Sequence, residues 1–239
     1  MGRGRSSKPA GHSRRLDTHL TMIVDLSHPL APGMPSYPGL PKPKFRIFLR
    51  HVDRAAQAQY SPGTTFQIAS YDLCGNTGTY LDAPFHRHPD GFDLGRLPLE
   101  RMVNLPGVLI HVNGESPIEP RSFAGLALAG SAVLICTGWS ARWGNPADYF
   151  RSGPFLTRPV CEYLVAQQPA LIGIDSANID NMEDPSRPAH TLLLRAGIPI
   201  VEHLTNLVAL KGMSFRFFAA PPAIAGGTSF TIRAFAICE

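Results

Sequence analysis

Residues 75–88 carry the densest group of chemically active side chains in this sequence. The segment combines two glycines, an amide, a phenol, a carboxylate and two imidazoles within fourteen residues. Asp82 and His86 suit proton transfer near neutral pH, because an imidazole can take and return a proton within one turnover. Gly75 and Gly78 can reach positive φ without strain, which would let the chain turn tightly beneath a ligand. The segment therefore predicts a catalytic pocket.

Pro84 should hold the two acid–base residues on a stiff stretch of chain. A proline restricts the residue before it, here Ala83, to extended geometry. We therefore expect Asp82 and His86 on a non-helical segment. His88 would lie on the same side as His86 in an extended chain, and we interpret it as a structural histidine.

The same segment resembles a metal-binding signature, H-x-G-T-H-x-D-x-P-x-H, in which both leading histidines are replaced. Asn76 and Tyr80 stand at the two histidine positions, whereas the aspartate, the proline and the last histidine are in register. The signature is that of the cyclase family, which includes bacterial kynurenine formamidases and isatin hydrolases. The chain is identified as a divergent member of this family. Further stretches that resemble the family, in the same order, are 25–30, 35–39, 137–139, 172–176, 190–193, 201–207 and 229–237.

The resemblance implies roles for four ionisable residues. In metal-binding relatives the aspartate that matches Asp82 bridges two cations. His190 and Glu202 match later metal ligands of the family. His86 matches the histidine that the family uses for proton transfer. These four residues are the candidate catalytic group, together with Tyr80.

The two histidine replacements change what the site can bind. A carboxamide is a weak ligand for zinc or manganese, and a neutral phenol is weaker still, so Asn76 and Tyr80 should not hold a cation. We therefore expect no resident metal or other cofactor. If a metal is bound, Asp82, His190 and Glu202 could hold one zinc or manganese ion, and a pair of metals is not expected.

Without a cation, Asp82 and Glu202 would face each other across the pocket. Two nearby carboxylates cannot both ionise cheaply, so either one carboxyl pKa should rise or His190 should become protonated and pair with them. Tyr80 and Asn76 could donate hydrogen bonds to Asp82 or to a substrate oxygen. Such a pocket suits ring closure, ring opening or dehydration without a metal-activated hydroxide.

Substrate contacts are predicted at three positions. Tyr37 and Trp139 resemble family positions near the substrate, where aromatic walls would fit a planar ligand. Core packing is the alternative for each ring. Asn76 would add an amide group that can donate and accept hydrogen bonds.

Three functions follow from these residues. The favoured hypothesis is a metal-independent cyclase-family enzyme that closes, opens or dehydrates a small aromatic or polyketide-like metabolite. The second is a metal-dependent amide or lactone hydrolase, resembling the formamidases, that uses one divalent cation. The third is a non-catalytic binding protein that keeps the fold. Retention of Asp82, His86, His190 and Glu202 argues against the third, because a pure binding pocket does not need four ionisable groups.

The composition is that of a globular protein with a small-molecule substrate. The 239 residues are 44% hydrophobic and 17% charged, which describes one domain with a sizeable core. Residues 1–20 contain five basic residues and one acidic residue, a charge of +4 that equals the net charge of the whole chain. We expect a disordered basic tail over 1–20, a neutral domain over 21–239, and no nucleic-acid or membrane partner.

The expected setting is a reducing cytoplasm. The four cysteines form no C-x-x-C pair and stand in apolar surroundings, which favours free thiols, although spacing alone leaves disulfides open. The longest apolar stretch, 126–136, is too short to cross a bilayer. The resemblance to the cyclase family implies a homodimer or a homotetramer.

Short apolar or alternating runs predict many strands and few helices. Residues 45–49 alternate, which is typical of a half-buried strand. Thr157 should cap one helix, and 190–195 should form a second. This pattern predicts a single α/β domain built on a mixed β-sheet or open barrel, and the family resemblance implies a swivelling β/β/α-like fold. The other predicted strands are 21–26, 66–70, 108–112, 132–136, 171–174, 213–218 and 230–236.

Overall fold

The computed structural model describes residues 22–112 and 117–239, so the predicted basic tail lies outside the described residues. The helices are α1 (Pro146–Tyr149), α2 (Arg158–Gln167) and α3 (Pro188–Arg195), with 3-10 turns at Pro84–His86, Leu99–Arg101, Pro120–Phe123, Trp139–Arg142 and Leu207–Leu210. The strands are β1 (Met22–Asp25), β2 (Lys44–Leu49), β3 (Ile68–Asp72), β4 (Tyr80–Asp82), β5 (Leu105–His111), β6 (Ala132–Cys136), β7 (Leu171–Ile174), β8 (Ile200–Glu202), β9 (Phe215–Phe218), β10 (Ser229–Thr231) and β11 (Phe235–Cys238).

Nine of these strands form one mixed sheet in the order β1-β11-β9-β5-β6-β7-β8-β4-β10. Strands β5 to β8 run parallel to one another, and the strands on either side of them pair antiparallel. Strands β6 and β7 are buried along their whole length, as expected for parallel strands covered on both faces. The predicted single domain with a mixed sheet and few helices is confirmed.

The two faces of the sheet bury separate hydrophobic clusters. Along β6, Leu134 contributes to one cluster, whereas Val133 and Ile135 contribute to the other. This alternation follows from the two-residue period of a strand. Helices α2 and α3 cover the second cluster with Leu164 and Leu193. Each such fully buried aliphatic side chain contributes about 1.5–3 kcal/mol to folding, so the sheet gives the site a rigid base.

Strands β2 and β3 form a separate two-stranded sheet that is more exposed than the sequence pattern predicts. Ile47 and Ile68 are 50% and 49% exposed, and Phe48 is 80% exposed. The predicted strand at 45–49 is present, and Phe45 and Leu49 are half-buried as predicted, but Ile47 is exposed. The physical reason is that the two strands pair only with each other and are not part of the nine-stranded sheet.

The last predicted strand, 230–236, is two strands in different places. Strand β10 pairs with β4, whereas β11 pairs with β1 and β9 near the opposite end of the sheet. Between them Ala234 joins the loop after β1, because its amide donates to Ser27 Oγ and its carbonyl accepts from the Leu26 amide. One segment of strand-like sequence therefore conceals a change of partner, which period-two patterning cannot reveal.

Helix α3 carries one site residue and begins two residues earlier than predicted. Pro188 occupies its first turn, a position that proline favours. All four cysteines are free thiols, as predicted. Within residues 22–112 and 117–239, the helices lack the length and apolar character that a bilayer crossing requires.

Candidate functional site

The site is assembled by strand β4, which lies between β8 and β10. Tyr80 is opposite Glu202 of β8, and Asp82 is opposite Ser229 of β10. Residues two apart on a strand share a face, and directly paired residues are neighbours across strands. The register therefore brings a phenol, two carboxylates and a hydroxyl to one face of the sheet.

Asp82 is completely buried and only partly satisfied. Its Oδ1 accepts hydrogen bonds from Ser229 Oγ and from Asn76 Nδ2, the latter at 3.3 Å. Its Oδ2 has no hydrogen-bond partner among the described residues. Burial alone would raise the pKa of Asp82, but the close approach of the His190 ring, 3.6 Å from Oδ2, and the nearby charges of His86 and His190 outweigh it and hold the pKa below its ordinary value.

His190 is held in place by a second buried carboxylate, Asp180. The imidazole Nδ1 lies 2.6 Å from Asp180 Oδ2, and the amides of Ala189 and His190 also donate to Asp180. The other ring nitrogen, Nε2, lies 3.6 Å from Asp82 Oδ2 and 3.9 Å from Glu202 Oε1. Burial would lower the pKa of His190, but these carboxylates together raise it to about 10. Without a cation the ring is therefore an imidazolium at neutral pH.

Both carboxylate oxygens of Glu202 accept hydrogen bonds. The Tyr80 hydroxyl donates to Oε2, and the Ile179 amide donates to Oε1 at 2.7 Å. Burial raises the pKa of Glu202 to about 7, despite the opposing charge of His190. Burial also raises the pKa of Tyr80, so the phenol remains a neutral donor. The Tyr80 ring is supported edge-on by His203, with ring centroids 5.0 Å apart.

His86 stands on a 3-10 turn, not on the extended segment that the sequence predicts. Ala83 is extended, with φ −81° and ψ 158°, but Pro84–His86 closes a turn in which the His86 amide donates to Ala83. The prediction was wrong at this point because proline restricts the residue before it while itself favouring the first helical position. The His86 side chain is one-third exposed, and its Nδ1 lies 3.0 Å from Ser229 Oγ.

His88 has the structural role that the sequence analysis assigned to it. The ring is buried, and its Nε2 lies 3.0 Å from the Thr191 carbonyl oxygen. The extended geometry that would place His88 beside His86 is absent, because the His88 amide donates back to the Pro84 carbonyl. His88 therefore ties the catalytic turn to helix α3.

Asp82, His86 and His190 converge into a cluster that could hold one metal ion. One ligand atom from each lies within 4.8 Å of the other two. Two further features suit a cation: Asp82 Oδ2, which accepts no hydrogen bond from the described residues, and the orientation of His190 by Asp180, which is how metal-ligating histidines are usually held. The donor set therefore fits one divalent cation.

Among the described residues, Glu202 lies outside this cluster. Glu202 was predicted as a ligand beside Asp82 and His190, but His86 takes that place in the cluster, and each Glu202 oxygen accepts a hydrogen bond. Tyr80 and Asn76 direct their polar groups at Glu202 and Asp82. These two residues act as hydrogen-bond donors to the carboxylates where imidazoles would offer lone pairs to a metal.

The cluster opens into a pocket of about 330 Å³, a size suited to a small molecule. Trp139 is not among the residues that line it. Instead, its indole donates to the Tyr149 carbonyl, Arg142 stacks on its ring, and Gly153 packs against it. The lining residues are Tyr37, Leu40, Asn76, Tyr80, His86, Arg87, Asn178, Arg187, His190 and Glu202.

Four residues of the site region were not assigned roles from the sequence. Asp180 and Ser229 lie in or next to stretches that resemble the cyclase family, so their place in those stretches was the available signal. Ser229 contacts Asp82 across 147 residues of sequence, whereas Asp180 contacts His190 only 10 residues away. Arg87 and Arg187 gave no motif signal beyond being next to His86 and three residues before His190.

Comparison with known proteins places this fold and this cluster in a family. The sequence model of the Cyclase family matches residues 24–181. A kynurenine formamidase from Geobacillus thermodenitrificans is 30% identical over 182 residues, which cover 76% of this chain and 81% of that protein. A kynurenine formamidase from Paracidovorax citrulli is 24% identical over 220 residues, covering 89% and 95% of the two chains.

Solved structures agree with the sequence match. Isatin hydrolase A from Ralstonia solanacearum superposes with a TM-score of 0.79 at 25% identity and covers 92% of each chain. Like the formamidases, this neighbour is a hydrolase by name, and the described site keeps an aspartate and two histidines that could serve such chemistry. The chain is therefore an enzyme of the Cyclase family.

Proposed function

We propose that this enzyme hydrolyses an amide or lactone bond in a small aromatic or cyclic compound, with at most one divalent cation in the site. The observation that carries the proposal is the convergence of Asp82, His86 and His190 within 4.8 Å of one another beside the pocket. The names of the formamidase and isatin hydrolase relatives support a substrate of this kind. A bound cation would polarise the carbonyl oxygen and lower the pKa of a water molecule.

In this proposal Asp82 and His190 would hold the cation, while His86 stays free to act as the proton carrier. The ionised Asp82 accepts from Ser229, so the Ser229 oxygen accepts from His86 Nδ1–H in the same arrangement. That tautomer leaves His86 Nε2 free to take a proton. In hydrolysis, a water adds to the carbonyl carbon while its proton passes to His86. The carbon–nitrogen or carbon–oxygen bond then breaks, and the leaving atom takes the proton back.

Tyr80 and Glu202 hold a second proton beside the pocket. The phenol is neutral and donates to Glu202, whose pKa of about 7 lets it gain or lose a proton near neutral pH. When Glu202 is protonated, the Tyr80 hydroxyl is free to donate a hydrogen bond to a substrate oxygen on which negative charge develops. Both residues line the pocket, so neither needs to move far to do this.

The test combines metal content with turnover. The protein, purified without a histidine tag, would be assayed on aryl formamides, aryl lactones and isatin before and after EDTA treatment, and after adding back zinc or manganese. We expect the protein to hydrolyse at least one of these classes. EDTA should reduce this hydrolysis and one of the two metals should restore it. The Asp82→Asn variant should lose it. An enzyme that hydrolyses none of these classes at any metal content would contradict the proposal.

Metal-independent acid–base chemistry is the second candidate, and one observation favours it. The positions of two ligand histidines in the family signature hold Asn76 and Tyr80, which satisfy Asp82 and Glu202 by hydrogen bonds. Such a site would serve ring closure, ring opening or dehydration of an aromatic or polyketide-like metabolite. Turnover that is unchanged by EDTA, in protein with less than about a tenth of an equivalent of metal, would select this candidate over the first.

A homodimer or homotetramer in the cytoplasm is the setting we propose for this enzyme. The exposed apolar side chains of β2 and β3, among them Phe48 and Tyr71, support self-association. Light scattering of the purified protein tests the oligomeric state directly, and a monomer at micromolar concentration would contradict the proposed self-association.

A further inference from the structure

Two arginines line the pocket beside the catalytic cluster. Arg87 directly follows the turn that carries His86, and Arg187 directly precedes α3, which carries His190. Each guanidinium is therefore fixed to the same short element as a catalytic imidazole. A substrate group bound by these arginines would be placed relative to the reacting centre by both elements at once.

The hydrogen bonds of both guanidinium groups are made to neutral oxygen atoms. Arg87 Nε donates to Thr191 Oγ1 at 3.1 Å, and its Nη2 lies 3.5 Å from the Ser186 carbonyl oxygen. Arg187 Nη1 lies 3.3 Å from Asn178 Oδ1, and its Nη2 lies 3.5 Å from the Met182 carbonyl oxygen. Three of these four contacts are 3.3 Å or longer, and a guanidinium can donate five hydrogen bonds, so donor capacity remains.

Neither arginine forms an ion pair within 4.0 Å with any carboxylate of residues 22–112 and 117–239. Arginines elsewhere in this fold do so. Arg195 lies 2.8 Å from Asp90, and Arg233 lies 2.6 Å from Asp25. Two guanidinium groups at one pocket, neither with a carboxylate within 4.0 Å, suit the binding of a carboxylate, because their planar forks match its geometry.

The backbone of Arg187 gives a second, independent indication. Arg187 has φ 45° and ψ 64°, the left-handed region that a side chain other than Gly, Asn or Asp rarely adopts. Strained residues of this kind concentrate at ligand-binding and catalytic sites. A residue suited to this backbone conformation, such as Gly or Asn, would carry no positive charge. The chain instead has a long cationic side chain here, at the pocket.

We propose that the substrate is an anion, whose carboxylate is bound by Arg87 and Arg187 while its scissile carbonyl lies at Asp82, His86 and His190. This inference rests on the proposed hydrolytic function, whose substrate class it narrows to carboxylate-bearing aryl amides or lactones. The acidic centre of the pocket would repel a carboxylate that entered in the opposite orientation. Tyr37, also at the pocket, would contact the aromatic part of the molecule.

The experiment measures binding, not turnover. The probes are 2-formamidobenzoate and 2-formamidobenzamide, which differ only in the charge of one group, titrated calorimetrically into the full-length protein with and without EDTA treatment. The variants are Arg87→Gln, Arg187→Asn and the double variant. Arg158→Gln, which changes an exposed arginine of α2, is the matched control.

We expect the carboxylate to bind the native protein about tenfold or more tightly than the amide, as hydrogen bonds to a charged group imply. Each single variant should lose most of this preference and the double variant all of it, with amide binding unchanged within twofold. Asn tolerates the left-handed region better than Arg, so Arg187→Asn should fold at least as stably while binding the carboxylate more weakly.

Three results would overturn the inference: equal binding of the two probes, no carboxylate binding at millimolar concentration, or carboxylate binding that EDTA abolishes and the arginine variants leave intact. Hydrolysis by a pocket without carboxylate preference would refute only this inference. Carboxylate preference in a protein that hydrolyses nothing would refute only the proposed function.

Discussion

The Tyr80 hydroxyl donates a hydrogen bond to the Glu202 carboxylate across the β4–β8 pair, deep in the core beside the pocket. In the family signature a metal-binding histidine stands at the Tyr80 position. The phenol therefore occupies one oxygen of Glu202 with a hydrogen bond, while burial raises the pKa of that carboxyl to about 7. The presence of tyrosine in place of histidine at this one position therefore determines which group contacts Glu202.

Removing the Tyr80 hydroxyl should destabilise the protein. Tyr80→Phe leaves the buried Glu202 Oε2 without its donor, which should cost about 1–3 kcal/mol of unfolding free energy. Because this hydrogen bond lowers the pKa of Glu202 against the larger effect of burial, its loss should raise that pKa and move the limb of the pH–rate profile that follows Glu202 to higher pH. Tyr149→Phe is the matched control, since the Tyr149 hydroxyl is buried without a partner among the described residues. Equal stability of the two variants in denaturant titrations would refute the assigned bond.

Restoring both histidines should change the metal stoichiometry. The double variant Asn76→His, Tyr80→His supplies two imidazoles and frees Glu202 Oε2, so bound zinc should rise from at most one equivalent towards two. Mass spectrometry of protein dialysed against zinc measures this. The single variants serve as controls and should gain less. An unchanged zinc content in the double variant would show that the two substitutions are not what limits metal binding.

His86 and His88 should respond differently to the same substitution. His86→Gln removes the proton carrier and should lower kcat by about 10²–10⁴-fold. His88→Gln should keep kcat within a few-fold, because His88 bonds the Thr191 carbonyl instead of lining the pocket. The His88→Gln variant should instead lose about 1 kcal/mol of unfolding free energy. Full activity in His86→Gln would remove His86 from the mechanism.

The metal-free protein should lose stability as pH rises from about 6.5 to about 10. The folded pKa of His190 is raised to about 10 from an ordinary 6.5, so its protonation stabilises the fold fully below pH 6.5 and no longer does so above the folded pKa. Denaturant titrations of EDTA-treated protein at pH 6.5, 8 and 9.5 would show this slope. His190→Gln should flatten it, and bound zinc should as well, because the metal replaces the proton. A flat profile in the unsubstituted protein would contradict the assigned ion pair.

The sequence predicted the mixed sheet because its buried strands are continuous apolar runs. Strands β6 and β7 are found where those runs occur. Strand β4 was not predicted, because three residues carry too little periodicity to distinguish a strand from a turn. The exposure of β2 was missed for another reason: alternation shows that one face could be buried, but only the tertiary structure decides whether anything covers it.

Most residues of the candidate cluster were named from the sequence, while the contacts among them came from the fold. Asn76, Tyr80, Asp82 and His86 lie within one motif, so their proximity was predictable. That Ser229 would join Asp82 to His86 depends on the register of β10 against β4. That Asp180 would orient His190 depends on the loop before α3. Trp139 could not be assigned correctly, because an aromatic residue suits a core and a pocket wall equally well.

Zinc and manganese titration of the demetallated protein tests the central claim most directly. The account predicts saturation at no more than one equivalent, with binding lost in Asp82→Asn and His190→Gln and retained in Trp139→Phe. That one cation should accompany hydrolysis of an aryl amide or lactone. Saturation at two equivalents in the unsubstituted protein, or one tightly bound equivalent that survives loss of both Asp82 and His190, would contradict it.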